Sequence, residues 1–309
     1  MKIDIYKDFQ RYLFTNDLSE STVDSYVRIA RIIENYLSEN FDVNYREKLD
    51  SIKGYMISHW ASSIMDKKVA TRALYITIAN CFFRFLYNMQ YIAFDLASAL
   101  PPVPNIEKHH KIHPEEYQPK QGYTQQEIER MMSIPDPKTF NGARNIAIMA
   151  MLIGTGLRVS ELASLNVGDP FDKSGFMMVA RKGTHGNKVK VAMPEGVQAF
   201  LSPYLSIRKT RNFSCEPGDP LFISNRGKRM DRSRIYEAVS EIQKKAGCHT
   251  GVHTYRHTAL THIAKHADPV VSRDVAGQKS ISITNRYLHS TDEEMLQAVN
   301  SLSDLLPIK

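Results

Sequence analysis

The sequence predicts a mainly α-helical protein of two domains: an N-terminal helical bundle, then a mixed α+β domain with a small antiparallel β-sheet. Three observations lead to this prediction. The chain has 309 residues, which is more than one typical domain contains. Apolar residues recur at helical spacing through the N-terminal third. A proline-rich stretch then separates this region from one in which helical segments flank a hairpin pattern.

The N-terminal elements are amphipathic helices. Residues 19–37 have helical periodicity, and Ser21 with Asp24 is suited to cap the start. A second helix is predicted over about residues 70–88. Stripes of this kind are core faces, so residues 1–104 are predicted to form the bundle. The two stripes are Val23, Tyr26, Val27, Ala30, Ile33 and Leu37, and then Leu74, Ile78, Cys81, Phe82 and Phe85.

A linker follows the bundle. Residues 101–123 hold five prolines and several charges, a composition that resists both helix and strand. We place the linker at 105–122. Thr124, with Glu127 three residues on, forms the sequence pattern of a helix N-terminal capping box, so the second domain is predicted at 123–309.

The second domain combines helices with one hairpin. Residues 145–154 indicate a buried helix that ends at Gly154. Residues 175–193 indicate a β-hairpin, because alternate positions are apolar and KGTHGN supplies the glycines of a turn. Further helices are predicted near 195–208, 231–246 and 254–266. The tail has a helical stripe, and no later segment could cover it: Met295, Val299, Leu302 and Leu306.

Charge and composition favour a cytoplasmic protein that binds a polyanion. The net charge is +7, and by count residues 1–107 carry −1 whereas residues 108–309 carry +8. A basic second domain is expected of a protein that binds a polyanion. Three unclustered cysteines fit reduced thiols in the cytoplasm. The N-terminus lacks a signal-peptide core, and no apolar run approaches the ~18 residues of a membrane span, so no membrane partner is expected.

GVHTYRHTALTHIAKH, residues 251–266, concentrates histidines around one arginine. One interpretation is zinc, because His253/His257 and His262/His266 are i,i+4 pairs. The other is a phosphate site, since helical i,i+3 spacing places His253 beside Arg256. A plain helix surface is the third alternative.

Three further positions carry suitable chemistry. Arg158 follows the glycines of GTGLRVSEL, and Glu161 is close enough to hold it. Lys182 lies at the predicted strand-to-turn junction. Tyr287 ends a polar, β-branched segment. Together with Arg256, these residues suit phosphodiester cleavage. The tyrosine attacks the phosphate, the two guanidiniums neutralise the transition state, and the lysine protonates the leaving oxygen. Three other basic residues compete with Lys182 for this role: Arg181, Lys188 and Lys190. The candidate contacts to a nucleic-acid backbone are Arg72, Arg181, Lys188 and Arg232.

GTGLRVSEL, KGTHGNK, HTYRH and GQKSISITNRY, in this order, resemble the tyrosine recombinase (phage integrase) family. The similarity extends to an N-terminal core-binding domain and favours an Xer-like or transposon-resolvase-like member. It implies that Arg158 and Arg256 clamp the scissile phosphate and that Lys182 is the general acid. It also implies His253 as base or hydrogen-bond donor and Tyr287 as nucleophile.

One position departs from the family pattern. Nine residues before the tyrosine the family usually has histidine or tryptophan, whereas this chain has Gln278. Glutamine keeps a hydrogen-bond donor but cannot be cationic. We expect an active enzyme, with two alternatives: Lys279 reaches into the site, or the register differs. An impaired DNA-binding accessory protein is a competing hypothesis, as is a related type IB topoisomerase or telomere resolvase.

The resemblance also implies partners and cofactors. Double-stranded DNA with paired core sites is the expected substrate, exchanged through a Holliday junction by a homotetramer in the cytoplasm, associated with the nucleoid. Neither metal nor ATP is expected, because the phosphotyrosyl bond conserves the energy. The tail helix is expected to dock into a neighbouring subunit, with packing on its own core as the alternative.

Overall fold

Helices dominate both parts of the chain, and the described residues contain one pair of β-strands. The computed structural model describes residues 4–41, 49–113, 122–170, 175–181, 187–276 and 292–307. The chain divides into two units, Met1–Gln118 and Pro119–Lys309. The predicted fold class, mainly helical with a small antiparallel sheet, is confirmed.

The first unit is a helical bundle around an aromatic core. Phe9, Trp60 and Phe82 are almost fully buried at its centre, and the Phe9 and Phe82 rings lie 5.0 Å apart. Its helices are α1 (Ile5–Thr15), α2 (Glu20–Phe41), α3 (Gly54–Ser63), α4 (Val69–Asn88) and α5 (Ile106–Ile112), with 3₁₀ turns at Leu49–Ser51 and Leu96–Ala99.

Both predicted N-terminal helices are present, with two corrections. Ser21 lies inside α2 rather than at its cap, because the backbone carbonyl of Ser19 already accepts hydrogen bonds from the amides of Thr22 and Val23. Leu74, placed on the core stripe of α4, is exposed. The rest of the predicted stripe faces the core, because Ile78, Phe82 and Phe85 are fully buried and Cys81 is partly buried. Further buried positions of α4 lie beside the stripe: Val69, Ala73, Ile76, Ala79, Phe83 and Leu86.

The apolarity of α4 was underestimated from the sequence. By length and composition alone this 20-residue helix could cross a membrane, with a mean hydropathy of 1.2 over its most apolar window. Half of that window is buried inside the protein, as in a core helix of a bundle. Among the described residues it is the single helix that meets this test.

The linker contains a helix that the sequence did not predict. α5 begins after Asn105, whose side-chain oxygen accepts a hydrogen bond from the amide of Lys108 at 2.9 Å. A side-chain cap therefore starts a short helix between the prolines. Residues 114–121 of the predicted linker lie outside the described ranges.

The second unit surrounds a long buried helix, α7. The predicted capping box is confirmed at the start of α6, where Thr124 and Glu127 exchange side-chain and backbone hydrogen bonds. α7 begins earlier and ends one residue later than predicted, with Gly156 rather than Gly154 in its C-cap. The helices are α6 (Gln125–Ser133), α7 (Phe140–Thr155), α8 (Val159–Ser164), α9 (Gln198–Thr210), α10 (Arg232–Lys245), α11 (Val252–His266), α12 (Pro269–Ala276) and α13 (Asp292–Asn300).

The predicted hairpin is confirmed in its two strands. β1 (Phe176–Ala180) pairs antiparallel with β2 (Lys188–Ala192), and Ala180 lies opposite Lys188 at the end that faces the turn. Val191 and Met193 are buried as the alternation predicts. The turn residues 182–186 lie outside the described part.

The tail packs on its own unit, which was the alternative to docking into a neighbouring subunit. Val299 and Leu302 are fully buried, and Leu306 joins the main core beside α7. The covering elements precede the tail in sequence: α7, α11 and β2 contact α13 or the 3₁₀ turn Ser301–Leu305. The stripe favoured a neighbouring subunit because no later segment could cover it, whereas the segments that do cover it lie earlier in the chain.

Candidate active site

Arg158 is held at a sharp turn between α7 and α8. Gly156 has φ +60°, a left-handed conformation that costs little in glycine alone, and it lets the chain reverse directly after α7. Glu161, 2 % exposed, accepts hydrogen bonds from the Arg158 amide at 2.8 Å and from its Nη1 at 2.9 Å. The predicted ion pair is therefore present, and it orients a guanidinium that remains partly open to solvent.

Arg256 reaches the same turn from α11. Its Nη1 donates to the carbonyl oxygen of Gly156 at 2.6 Å. Burial lowers the pKa of Arg256 to about 10; repulsion from Arg158 and, more weakly, Arg181 adds to this, and Glu161 opposes it. The guanidinium still carries its charge at neutral pH. Two arginines distant in sequence thus meet at one turn, as the phosphate-clamp interpretation requires.

A buried network fixes the start of α11. The Tyr123 amide donates to the Thr258 hydroxyl at 2.8 Å, and the Tyr123 and Tyr255 rings lie 5.0 Å apart. The Gln243 side chain donates to the Tyr123 hydroxyl at 2.8 Å and accepts from the Gly251 amide at 2.9 Å. Burial raises the pKa of Tyr123 to about 12, so its hydroxyl stays protonated. α11 is therefore anchored behind Arg256.

The histidines of α11 separate into two groups. His253 lies in the first turn, exposed, one helical turn before Arg256. His262 Nε2 lies 2.9 Å from the Ser301 carbonyl, and His266 Nδ1 lies 2.8 Å from the His262 carbonyl. The second pair therefore contacts the tail and its own helix. Among the described residues, no group of three or more His, Cys, Asp or Glu side chains could hold a metal ion.

Lys182, Gln278 and Tyr287 lie outside the described residues, so their roles remain predictions. The last described residue before Lys182 is Arg181, and the last described residue before Gln278 and Tyr287 is Ala276. Two rivals of Lys182 have other contacts: Lys188 forms a 2.7 Å ion pair with Asp169, and Lys190 lies 4.0 Å above the Phe176 ring.

Arg181 was misjudged from the sequence as a surface contact. Its side chain is only 10 % exposed, and its Nε lies 3.9 Å from the Glu161 carboxylate. Burial lowers the pKa of Arg181; Glu161 opposes this shift and Arg158 adds to it. The period-two pattern of β1 contained the signal, because Met177 and Val179 face the core and position 181 follows on that face.

The turn between α7 and α8 brings two arginines together over a buried carboxylate, in a helical unit with one hairpin. Paired guanidiniums of this kind are suited to proteins that act on phosphodiesters. Comparison with known proteins agrees with this class. The Phage integrase family matches residues 122–294, more than half of the chain. The chain therefore belongs to the phage integrase family.

Relatives are similar along nearly the whole chain. The tyrosine recombinase XerD of Oceanobacillus iheyensis is 29 % identical over 292 residues, covering 92 % of this chain and 93 % of the relative. XerD of Vibrio cholerae is 27 % identical over 293 residues, covering 93 % and 91 %. These relatives confirm the predicted Xer-like resemblance and the activity class, a tyrosine site-specific recombinase.

Solved structures share the fold. A lambda integrase (75–356) dimer bound to a COC' core site matches with TM-score 0.64 and 14 % identity, covering 93 % of this chain and 98 % of that chain. XerH site-specific recombinase bound to palindromic difH matches with TM-score 0.64 and 17 % identity, covering 92 % and 76 %.

Proposed function

We propose that this recombinase cleaves and rejoins double-stranded DNA through a 3′-phosphotyrosyl intermediate on Tyr287. The observation that carries the proposal is the meeting of Arg158 and Arg256 at the Gly156 turn, above the buried carboxylate of Glu161. Two fixed guanidiniums suit the two non-bridging oxygens of a scissile phosphate.

The chemistry follows from the assigned roles. The Tyr287 oxygen attacks phosphorus and loses its proton, with His253 as base or hydrogen-bond donor. The bond from phosphorus to the 5′ oxygen breaks, and Lys182 gives that oxygen a proton. Arg158 and Arg256 neutralise the charge that develops on the non-bridging oxygens. Attack by a 5′ hydroxyl reverses these steps, so neither ATP nor a metal ion enters the proposal.

The proposed partners rest on the charge distribution of the chain and on its similarity to a solved structure. We assign residues 1–104 as the core-binding domain, 105–122 as the linker and 123–309 as the catalytic domain; the excess of positive charge beyond residue 107 suits DNA. A structural neighbour with TM-score 0.64 is described as a lambda integrase tetramer bound to a Holliday junction. A homotetramer on paired core sites is proposed for this chain on that basis. A DNA substrate implies the cytoplasm, and association with the nucleoid is part of the proposal.

Covalent trapping tests the proposal. Nicked duplexes tiled across the DNA that flanks the gene are incubated with protein and excess chelator, then resolved on denaturing gels. Wild type is expected to give a slow-migrating adduct that Tyr287→Phe abolishes. Tyr236→Phe, at an exposed tyrosine on α10, is the matched control and keeps the adduct. An adduct that survives Tyr287→Phe, or one that needs a metal ion, contradicts the proposal.

Gln278 favours a second candidate, a DNA-binding protein with impaired cleavage. This candidate predicts a gel shift without an adduct in the wild type and an adduct after Gln278→His. Recombinant junctions between two sites, in contrast, distinguish a recombinase from a topoisomerase or a telomere resolvase.

A further inference from the structure

Arg181 stands at a junction of the active-site elements. It is the first residue after β1 and immediately precedes Lys182. Its side chain continues the inward-facing positions of the strand and is nine-tenths buried. A surface cation at a strand end is normally solvated, so this burial needs a specific reason.

The Arg181 guanidinium contacts two separate elements. Its Nε lies 3.9 Å from Oε1 of Glu161, the same oxygen that Arg158 binds at 2.9 Å. Its Nη2 donates to the carbonyl oxygen of Val275 at 3.3 Å. Val275 lies in the last turn of α12, directly before the segment that contains Gln278 and Tyr287. One side chain therefore joins β1, α8 and α12.

Charge balance alone does not account for this arrangement. Glu161 already accepts two hydrogen bonds from Arg158, so a further guanidinium is not needed to neutralise it. Burying a further cation costs free energy. The planar fork of arginine spreads its nitrogens wider than a lysine ammonium does, so that Nη2 donates to Val275 while Nε stays within ion-pair distance of Glu161. These contacts suit a residue that fixes the relative positions of its neighbours.

We propose that Arg181 is a positioning residue for DNA cleavage: it ties the strand end that precedes Lys182 to the carboxylate that holds Arg158, and to the helix end that precedes Tyr287. The inference rests on the proposed function. It assigns no contact between Arg181 and DNA. Its consequence is that Glu161, the end of β1 and the end of α12 are held in place before the phosphate arrives, which lowers the cost of reaching the reactive geometry.

Single-turnover cleavage is the first test. On the nicked duplex that wild type cleaves, the rate of adduct formation is measured at saturating protein for wild type, Arg181→Met and Arg181→Lys. Arg181→Met is expected to lower this rate by at least about 10-fold while the Kd from gel shift changes less than about 2-fold. Arg181→Lys, which keeps the charge and loses the fork, is expected to recover part of the rate. Lys245→Met, which removes a surface ion pair with Glu241, is the matched control with unchanged rate.

Hydrogen exchange is the second test, and it needs no DNA. Amides of residues 270–276 are expected to exchange faster in Arg181→Met than in wild type, with no change in α2 of the first unit. If Arg181→Met fails to fold, Arg181→Lys is used in both measurements. It is expected to slow cleavage and to speed exchange in α12, each by less than is expected of Arg181→Met.

The outcomes separate the two proposals. A cleavage rate within about 2-fold of wild type, or a loss explained wholly by Kd or by the folded fraction, overturns the positioning role. Unchanged exchange in α12 overturns the tether. If wild type forms no adduct on any duplex, the proposed function fails, whereas the exchange result still decides whether Arg181 holds α12.

Discussion

Glu161 is a buried carboxylate that interacts with guanidiniums from three separate segments of the chain. Arg158 binds Glu161 directly, and Arg181 lies near the Oε1 atom of Glu161. Arg256 is close enough for Glu161 to raise the pKa of the Arg256 guanidinium against the effect of burial. Three cations face one anion, so the site keeps an excess of positive charge. A phosphate is therefore attracted to groups that are already oriented, and little reorganisation is needed during the reaction.

Replacing Glu161 by glutamine tests this residue. Glu161→Gln keeps the shape but leaves the neighbouring guanidiniums without their anion, and it is expected to lower the free energy of unfolding by about 2–3 kcal/mol. Arg158 would also lose its fixed orientation, so adduct formation should slow. Urea denaturation with parallel adduct assays measures both effects. Glu241→Gln, at an exposed carboxylate, is the control and should leave the unfolding midpoint unchanged. A Glu161→Gln protein as stable as wild type would contradict the account.

At the scale of elements, the α7–α8 turn is what unites the two arginines. Gly156 supplies a left-handed residue that ends α7, and its carbonyl accepts the hydrogen bond from Arg256. The next residue but one is Arg158, so a change in the turn displaces both guanidiniums together.

The turn is tested by Gly156→Ala. A left-handed alanine costs about 1–2 kcal/mol, so the free energy of unfolding should fall by that amount. The added Cβ lies 3.4 Å from that of Ala259, which is ordinary contact, so strain in φ is the main term. Gly218→Ala is the matched control, because nothing lies within 4 Å of a Cβ there. Equal stability losses in the two variants would show that the left-handed conformation of Gly156 is not required.

The tail is the second element with a direct consequence. Leu302 is fully buried on its own unit, so Leu302→Ala is expected to lower the free energy of unfolding by about 2–4 kcal/mol at low protein concentration. Gln297→Ala, at an exposed position of α13, should change it by less than about 0.5 kcal/mol. A loss for Leu302→Ala that depends on protein concentration would instead indicate burial in another subunit.

Local patterns predicted the elements better than their partners. The stripe of α2, the capping box of Thr124 and the strand alternation at Val191 are properties of neighbouring residues, and each was correct. The burial of Leu302 and Arg181 depends on segments distant in sequence, so periodicity could place them on a face but could not say what covers that face. The Arg158–Glu161 pair was predictable because both partners lie in one helical turn, whereas the Arg256–Gly156 contact joins separate helices.

At the scale of the whole molecule, both units have a hydrophobic core, but the excess of positive charge lies on one side of residue 107. Each unit has its own hydrophobic core, and the positive excess lies beyond residue 107. The arginine cluster belongs entirely to the second unit. The proposed chemistry is therefore built into one unit, and the first unit, as proposed, contributes to DNA binding.

The most direct measurement is a double-mutant cycle on Arg158 and Arg256. Adduct formation is timed at saturating protein for wild type, Arg158→Lys, Arg256→Lys and the double variant. Because lysine cannot make paired hydrogen bonds to one phosphate, each single change is expected to slow cleavage by about 10-fold or more. If both arginines bind the same phosphate, the double variant should be clearly faster than the product of the two single effects predicts. Effects that multiply in full, or single variants that cleave at the wild-type rate, would contradict a shared phosphate clamp.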